Sequence, residues 1–204
     1  TGVKRSEQSP LTENDPIPTQ LQGKLRVLAS TDLHMNLLGY DYYGDRVDAG
    51  VGLSRTATLI AKARREATNI GTSVLLLDNG DGLQGTPLGE QPNTTTPHPL
   101  MRPFQVLDDN RRGPGNHTFN YGRETLETIL RDAPCPVICS NMTSADPAAR
   151  LPFVASTVLE KQVSPAPSAP MLKIGLLSVL PVQTLLWDAH LLQGRIQIED
   201  MVHA

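Results

Sequence analysis

Two short apolar runs with an amphipathic stretch between them constrain this chain most. The first run is "KLRVLAST" at 24–31 and the second is "TSVLLLDNGD" at 72–81. Both read as buried strands, bounded by glycine or polar residues. Between them, "GLSRTATLIAKARREA" at 52–67 sets Leu53, Ala57, Ile60, Ala61 and Ala67 on one helical face. Its charges lie on the other face, as in an amphipathic helix. Strand–helix–strand alternation with polar residues at strand ends predicts an α/β fold. In such sheets ligands sit outside the carboxyl ends of the strands.

The alternation continues downstream. "RPFQVLDDNRRGPGN" (102–116) begins as a helix and breaks into polar, Gly and Pro residues. "RETLETILRD" (123–132) is helical with Leu126, Ile129 and Leu130 inward. "CPVICSN" (135–141) reads as a third strand, and "FVASTVLEKQV" (153–163) has β-branched content. The near-continuous apolar run "MLKIGLLSVLP" (171–181) predicts a strand buried on both faces. Residues 86–99 are loop by composition, "SPAPSAP" (164–170) is a surface loop or hairpin end, and "DMVHA" opens a helix. Residues 1–22 are polar with three prolines and read as a leader that is disordered or lies on the surface. The domain is expected to occupy 23–204.

The 204 residues suffice for one domain with a real core. Net charge is −3, and the basic doublets Arg64-Arg65 and Arg111-Arg112 are not interleaved with aromatics. That leaves no footprint for polymeric nucleic acid. No apolar run approaches the roughly 20 residues of a membrane helix, so no membrane partner is expected. Cys135 and Cys139, four apart on a strand, would stand ~13 Å apart, too far for a disulfide. Both read as small core residues.

Three segments share one grammar, an apolar strand followed by polar groups at its exit. They are Asp32 and His34 in "TDLH", Asp81 in "DNGDGLQG", and Asn116-His117 in "GPGNHTFNYG". A strand period of two would point Asp32 and His34 to one face. One carboxylate and one imidazole there make half of a divalent-metal site. Asp81 has two oxygens with which to bridge ions, and Gly80 lets the backbone turn tightly beside it. Asn116 offers a neutral amide oxygen. Asp78 and Asn79 read as strand-end and turn residues.

With these residues in this order, "TDLH…GD…GNH" resembles the calcineurin-like metallophosphoesterases. The longer stretches "LRVLASTDLHMNLLGYDYYGDR", "LLDNGDGLQGTPLGE" and "LKIGLLSVLPVQTLLWDAHLLQGRIQIED" resemble one branch of the 5′-nucleotidase superfamily. That branch is the periplasmic 2′,3′-cyclic-nucleotide 2′-phosphodiesterase/3′-nucleotidases. The resemblance covers roughly residues 24–200. It implies part of a layered αββα sandwich, truncated here to an N-terminal portion. It implies two divalent metal ions (Mn, Zn, Co or Mg), with Asp32 and His34 on the first, Asp81 bridging both, and Asn116 on the second. His117 would be catalytic, stabilising charge on the phosphate. The chemistry implied is two-metal hydrolysis of a small nucleotide by an activated water, in a periplasmic or secreted protein. Two alternatives stand beside it, a 5′-nucleotidase-type enzyme and a non-catalytic fragment with an incomplete metal site.

The chain departs from the family pattern in three ways. Thr118 stands where the family motif G-N-H-E has glutamate. "DDNRRGP" stands where the family has an apolar strand, and is poor strand material. The family's later metal-binding histidines and its nucleotide-binding domain are expected in the longer parent. His98, His190 and His203 stand in no such motif and read as surface or loop residues.

Overall fold

The computed structural model describes residues 23–90, 97–108 and 111–203. The leader at 1–22 and the middle of the predicted loop at 86–99 lie outside them. The first apolar run forms β1 (Leu25–Ser30) and the second forms β4 (Ser73–Asp78), joined by α1 (Leu53–Asn69). β1 and β4 pair in parallel from Leu25↔Ser73 to Ser30↔Asp78. A parallel pair needs a crossover of this length, and α1 supplies it. Leu53, Ile60 and Ala67 are its buried residues. Ala61, predicted inward, is exposed, and Arg64 is half-buried instead, because a 3.6-residue period carries the face past Ala61.

Before α1 a small antiparallel pair, β2 (Tyr40–Asp41) and β3 (Arg46–Val47), closes the "DYYGD" turn. Beyond β4 a 3-10 turn at Pro87–Glu90 falls within the predicted loop. α2 (Met101–Leu107) then leads to β5 (Arg111–Arg112). β5 corrects the reading of "DDNRRGP" as poor strand material. It pairs in parallel with β4 through Leu77↔Arg111 and Asp78↔Arg112, giving the sheet order β1-β4-β5. Buried Arg112 is accommodated because its guanidinium stacks 3.3 Å from the centroid of the Phe104 ring. The Asp78 carboxylate adds a favourable charge.

α3 (Arg123–Leu130) buries Leu126 and Ile129 as its period requires. The stretch at 135–141 is shorter as a strand than predicted. Only bridges Arg112↔Val137 and Ile138↔Val154 extend the parallel pattern there. Cys135 and Cys139 are both buried, in agreement with their reading as core residues. β6 (Met142–Ser144) pairs antiparallel with β9 (Ile196–Ile198), after the short helices α4 (Thr184–Trp187) and α5 (Ala189–Leu192).

β7 (Thr157–Gln162) and β8 (Met171–Leu176) form an antiparallel hairpin around the "SPAPSAP" loop. This corrects the expectation that β8 is buried on both faces. Met171, Leu172 and Leu177 are exposed, and among the described residues β8 belongs to a sheet of two strands, β7 and β8. β1 is likewise half-exposed, with Val27 open to solvent. Asp200 to His203 make a turn in which His203 N–H donates to Asp200 O at 3.0 Å.

The core gathers Met35, Leu76, Leu100, Phe104, Phe119, Leu126 and Leu192 between the sheet and the helices. Asn141 is buried inside it and bonded to Leu180 and Glu199 main chain. Among the described residues no helix is long and apolar enough to cross a membrane.

Candidate metal centre

The three polar segments leave the carboxyl ends of three neighbouring parallel strands. Asp32 follows β1, Asp81 follows β4 and Asn116 follows β5, and β4 lies between the other two. Sheet topology therefore brings the three segments to one edge, where α/β folds bind ligands.

Asp32 and His34 do not lie on a strand, which corrects the face argument made from the period of two. Both stand in a turn with left-handed backbone, φ 53° and 44°. The turn is held because Asp32 N–H donates to Gly80 O (3.0 Å), His34 N–H to Asp81 O (2.9 Å) and Met35 N–H to Gly82 O (3.0 Å). It achieves the same result as a pleat, since His34 Nε2 lies 3.5 Å from Asp32 Oδ1. His34 Nδ1 is 2.7 Å from Gln84 O. A carbonyl only accepts, so Nδ1 carries a proton, and Nε2 is the nitrogen turned to the Asp32 side.

Asp81 is buried, also left-handed at φ 53°, and its Oδ1 accepts from His117 N–H at 2.7 Å. Two glycines make this approach possible. Gly80 has φ 95°, and a Cβ there would lie 2.2 Å from Gly115 N. A Cβ on Gly115 would lie 2.3 Å from Asp81 Cγ. The His34 and His117 rings meet edge-on with centroids 5.4 Å apart. The fold thus brings Asp32, His34, Asp81 and His117 together. Asn116, half-buried, stands beside His117 in the chain.

Thr118, in place of the family glutamate, has a local role. Its Oγ1 accepts from Gly115 N–H at 2.9 Å and closes the turn. Asp78 ends β4 as predicted, accepting from Ser30 Oγ at 2.7 Å. Burial raises its carboxyl above the usual range, while Arg112 opposes the shift. His98 lies in a loop, one of the two places its reading allowed, and is buried there. Its Nδ1 accepts from Leu100 N–H at 3.2 Å, and desolvation lowers its pKa.

Sequence reasoning missed three contributors to the site. Asn120 contacts His117, Asp188 contacts Asn120, and Tyr43 donates to Gly85 O at 3.0 Å. Tyr43 lines a cleft of about 300 Å³ together with His34, Asp41 and Asp48. The quoted "DYYGD" and "NYG" elements held Tyr43 and Asn120, but nothing local in the sequence ties Asp188 to them. A second cleft of about 350 Å³ lies over Ser30, Asp78 and Arg112 and touches none of the five candidate residues.

The donor set fits a divalent cation in part. Carboxylate oxygens and an imidazole nitrogen held by a carbonyl behind it are suitable ligands. Among the described residues no group of three or more His, Cys, Asp or Glu could hold a metal ion. Asp32 and His34 therefore stand as a half-site.

A scan against protein-family models matches none. The chain is 34% identical over 195 residues to the trifunctional nucleotide phosphoesterase protein YfkN of Bacillus subtilis. That alignment covers 90% of this chain and 13% of YfkN. It is 34% identical over 186 residues to the 2′,3′-cyclic-nucleotide 2′-phosphodiesterase/3′-nucleotidase of Salmonella typhimurium, covering 87% of this chain and 28% of that protein. The crystal structure of calcineurin-like phosphoesterase YfkN superposes with a TM-score of 0.79 at 33% identity, over 89% of this chain and 56% of that one. A putative 5′-nucleotidase from Staphylococcus aureus shares the fold with a TM-score of 0.70 at 20% identity, over 88% and 33%. The chain spans a minority of the length of the curated relatives it matches. The sheet order, the strand-exit segments and these likenesses agree that the chain is part of a calcineurin-like phosphoesterase domain, homologous to the 2′,3′-cyclic-nucleotide 2′-phosphodiesterase/3′-nucleotidases.

Proposed function

We propose that this chain contributes half of the active site of an enzyme that hydrolyses 2′,3′-cyclic nucleotides and 3′-nucleotides. The observation that carries the reading is the convergence of Asp32, His34, Asp81 and His117 at the exits of three adjacent strands. The relatives named as cyclic-nucleotide phosphodiesterases support the substrate class. Asp32 and His34 would hold one divalent ion, Asn116 another, and Asp81 would serve both. When bound, such a pair activates water and neutralises phosphate charge.

Around it the chain's own groups do the rest. Gln84 O orients the His34 ring. Asp81 ties the His117 turn to the β4 exit. His117 would approach the phosphate and steady the charge that develops on it, as a hydrogen-bond donor or as an acid toward the leaving group. The remaining ligands would come from the longer parent, in a periplasmic or secreted setting.

Assay of the parent with Mn²⁺ or Co²⁺ against 2′,3′-cyclic AMP tests this. Turnover is expected. Bound metal without turnover would overturn the assignment. The reading of this chain as a non-catalytic fragment has its own support, since the described residues offer no complete metal-holding group. Turnover by the 204 residues alone would reject that reading.

A further inference from the structure

We infer that Asp188 is a positioning residue that sets, through Asn120, which ring nitrogen of His117 carries the proton. The inference rests on the reading of His117 as the residue facing phosphate. His117 Nδ1 lies 2.8 Å from Asn120 Oδ1. Asn120 Nδ2 lies 2.9 Å from Asp188 Oδ1 and 3.2 Å from Oδ2. Asp188 is 4% exposed and lies 68 residues along the chain from Asn120, so no local turn accounts for the contact.

An amide can face its neighbours in two ways, with its NH₂ or its oxygen turned to either side. The carboxylate removes that freedom. An ionised carboxylate only accepts, so the amide edge facing Asp188 must be the NH₂ edge. The oxygen is then turned to His117. It too only accepts, so Nδ1 of His117 must carry hydrogen. Nε2 of the neutral ring is left as a lone pair and becomes a donor only when the ring takes up a second proton.

The opposite amide orientation would set oxygen against carboxylate, acceptor against acceptor. Asp188 is pinned for this task. It sits between α4 and α5, its N–H bonded to Thr184 O and its carbonyl accepting from Leu191 and Leu192 N–H. Its carboxylate does not cap α5.

Long-range ¹H–¹⁵N spectra of the histidine rings in the full chain test the relay where the imidazoles are neutral. They need neither metal nor turnover, so the relay can fail while the proposed reaction stands, and the reverse. His117 is expected as the Nδ1–H tautomer. Asp188→Ala removes the acceptor, and isosteric Asp188→Asn removes its one-sided demand because an amide both donates and accepts. In both, the constraint on the Asn120 amide is lost and the Nε2–H form should gain at the expense of Nδ1–H. Should Asp188→Ala fail to fold, Asp188→Asn decides. An Nε2–H ring in the unaltered chain would overturn the inference. So would an unchanged tautomer in the folded variants.

Discussion

The Asp32–His34 turn is tied to the β4 exit loop chiefly by main-chain bonds, with the His34 ring adding one to Gln84 O, whereas the Asn116–His117 turn is held chiefly by side chains. In the first, the N–H groups of Asp32, His34 and Met35 pair with the carbonyls of Gly80, Asp81 and Gly82 like a continued parallel ladder. In the second, Asp81 Oδ1, Thr118 Oγ1 and the Asp188–Asn120 contact do the holding. A main-chain ladder survives most substitutions, because every residue but proline carries the same groups. Side-chain ties depend on identity. The first turn should therefore tolerate change at its own residues other than His34, whose ring bonds Gln84 O, and the second should not.

The strongest way to break the comparison is to damage the surface that both turns share. Gly80→Ala puts a Cβ 2.2 Å from Gly115 N and forces φ 95° on a residue that resists it. Strain and overpacking together should cost on the order of 3 kcal/mol, read as a lowered urea midpoint. A loss below about 0.5 kcal/mol, the range of an indifferent surface change, would mean that the turns are not in contact there.

Next comes Asp81, on which the second turn depends by its side chain and the first by its carbonyl. Asp81→Ala leaves His117 N–H without its acceptor, a loss of roughly 1–3 kcal/mol. Asp81→Asn keeps an acceptor oxygen and should stay near the unaltered stability, even where metal binding falls. Equal destabilisation by the two variants would show that charge, not the hydrogen bond, holds the turn. Thr118→Val is the smaller version of the same test. It removes the Gly115 bond at nearly constant shape and should cost about 1 kcal/mol, while Thr118→Ser retains it.

The same division explains what was legible in the sequence. The strands, α1 and α3 were visible because hydrophobic period is a local signal. The exit positions of Asp32 and Asp81 followed from those strands, whereas that of Asn116 had no predicted strand behind it. The Asp32–His34 pairing was anticipated for a different reason from the one the molecule uses. A left-handed turn leaves no pleat in the sequence, although Asp tolerates positive φ better than most residues. β5 was missed because its buried Arg112 is admitted by Phe104 and Asp78, both supplied from elsewhere in the chain. The exposure of β8 was missed because an apolar run does not say which neighbours it lacks. Asp188 is the extreme case, since its reason for being there is 68 residues away.

The smallest expected effect is at Asp32, and it sharpens the comparison most. Its side chain is 59% exposed and faces His34 Nε2 at 3.5 Å. An exposed pair at that distance is worth little to stability. The turn around Asp32 depends on its N–H, which Asp32→Asn keeps, and asparagine accepts left-handed backbone as readily as aspartate. Asp32→Asn should therefore change the stability read from urea unfolding by no more than about 0.5 kcal/mol, while removing an anionic oxygen from the proposed half-site. Calorimetric titration with Mn²⁺ should then show weakened binding in a chain of unchanged stability. If stability falls as far as in Asp81→Ala, the first turn is held by side chains after all, and the distinction between the two turns is wrong.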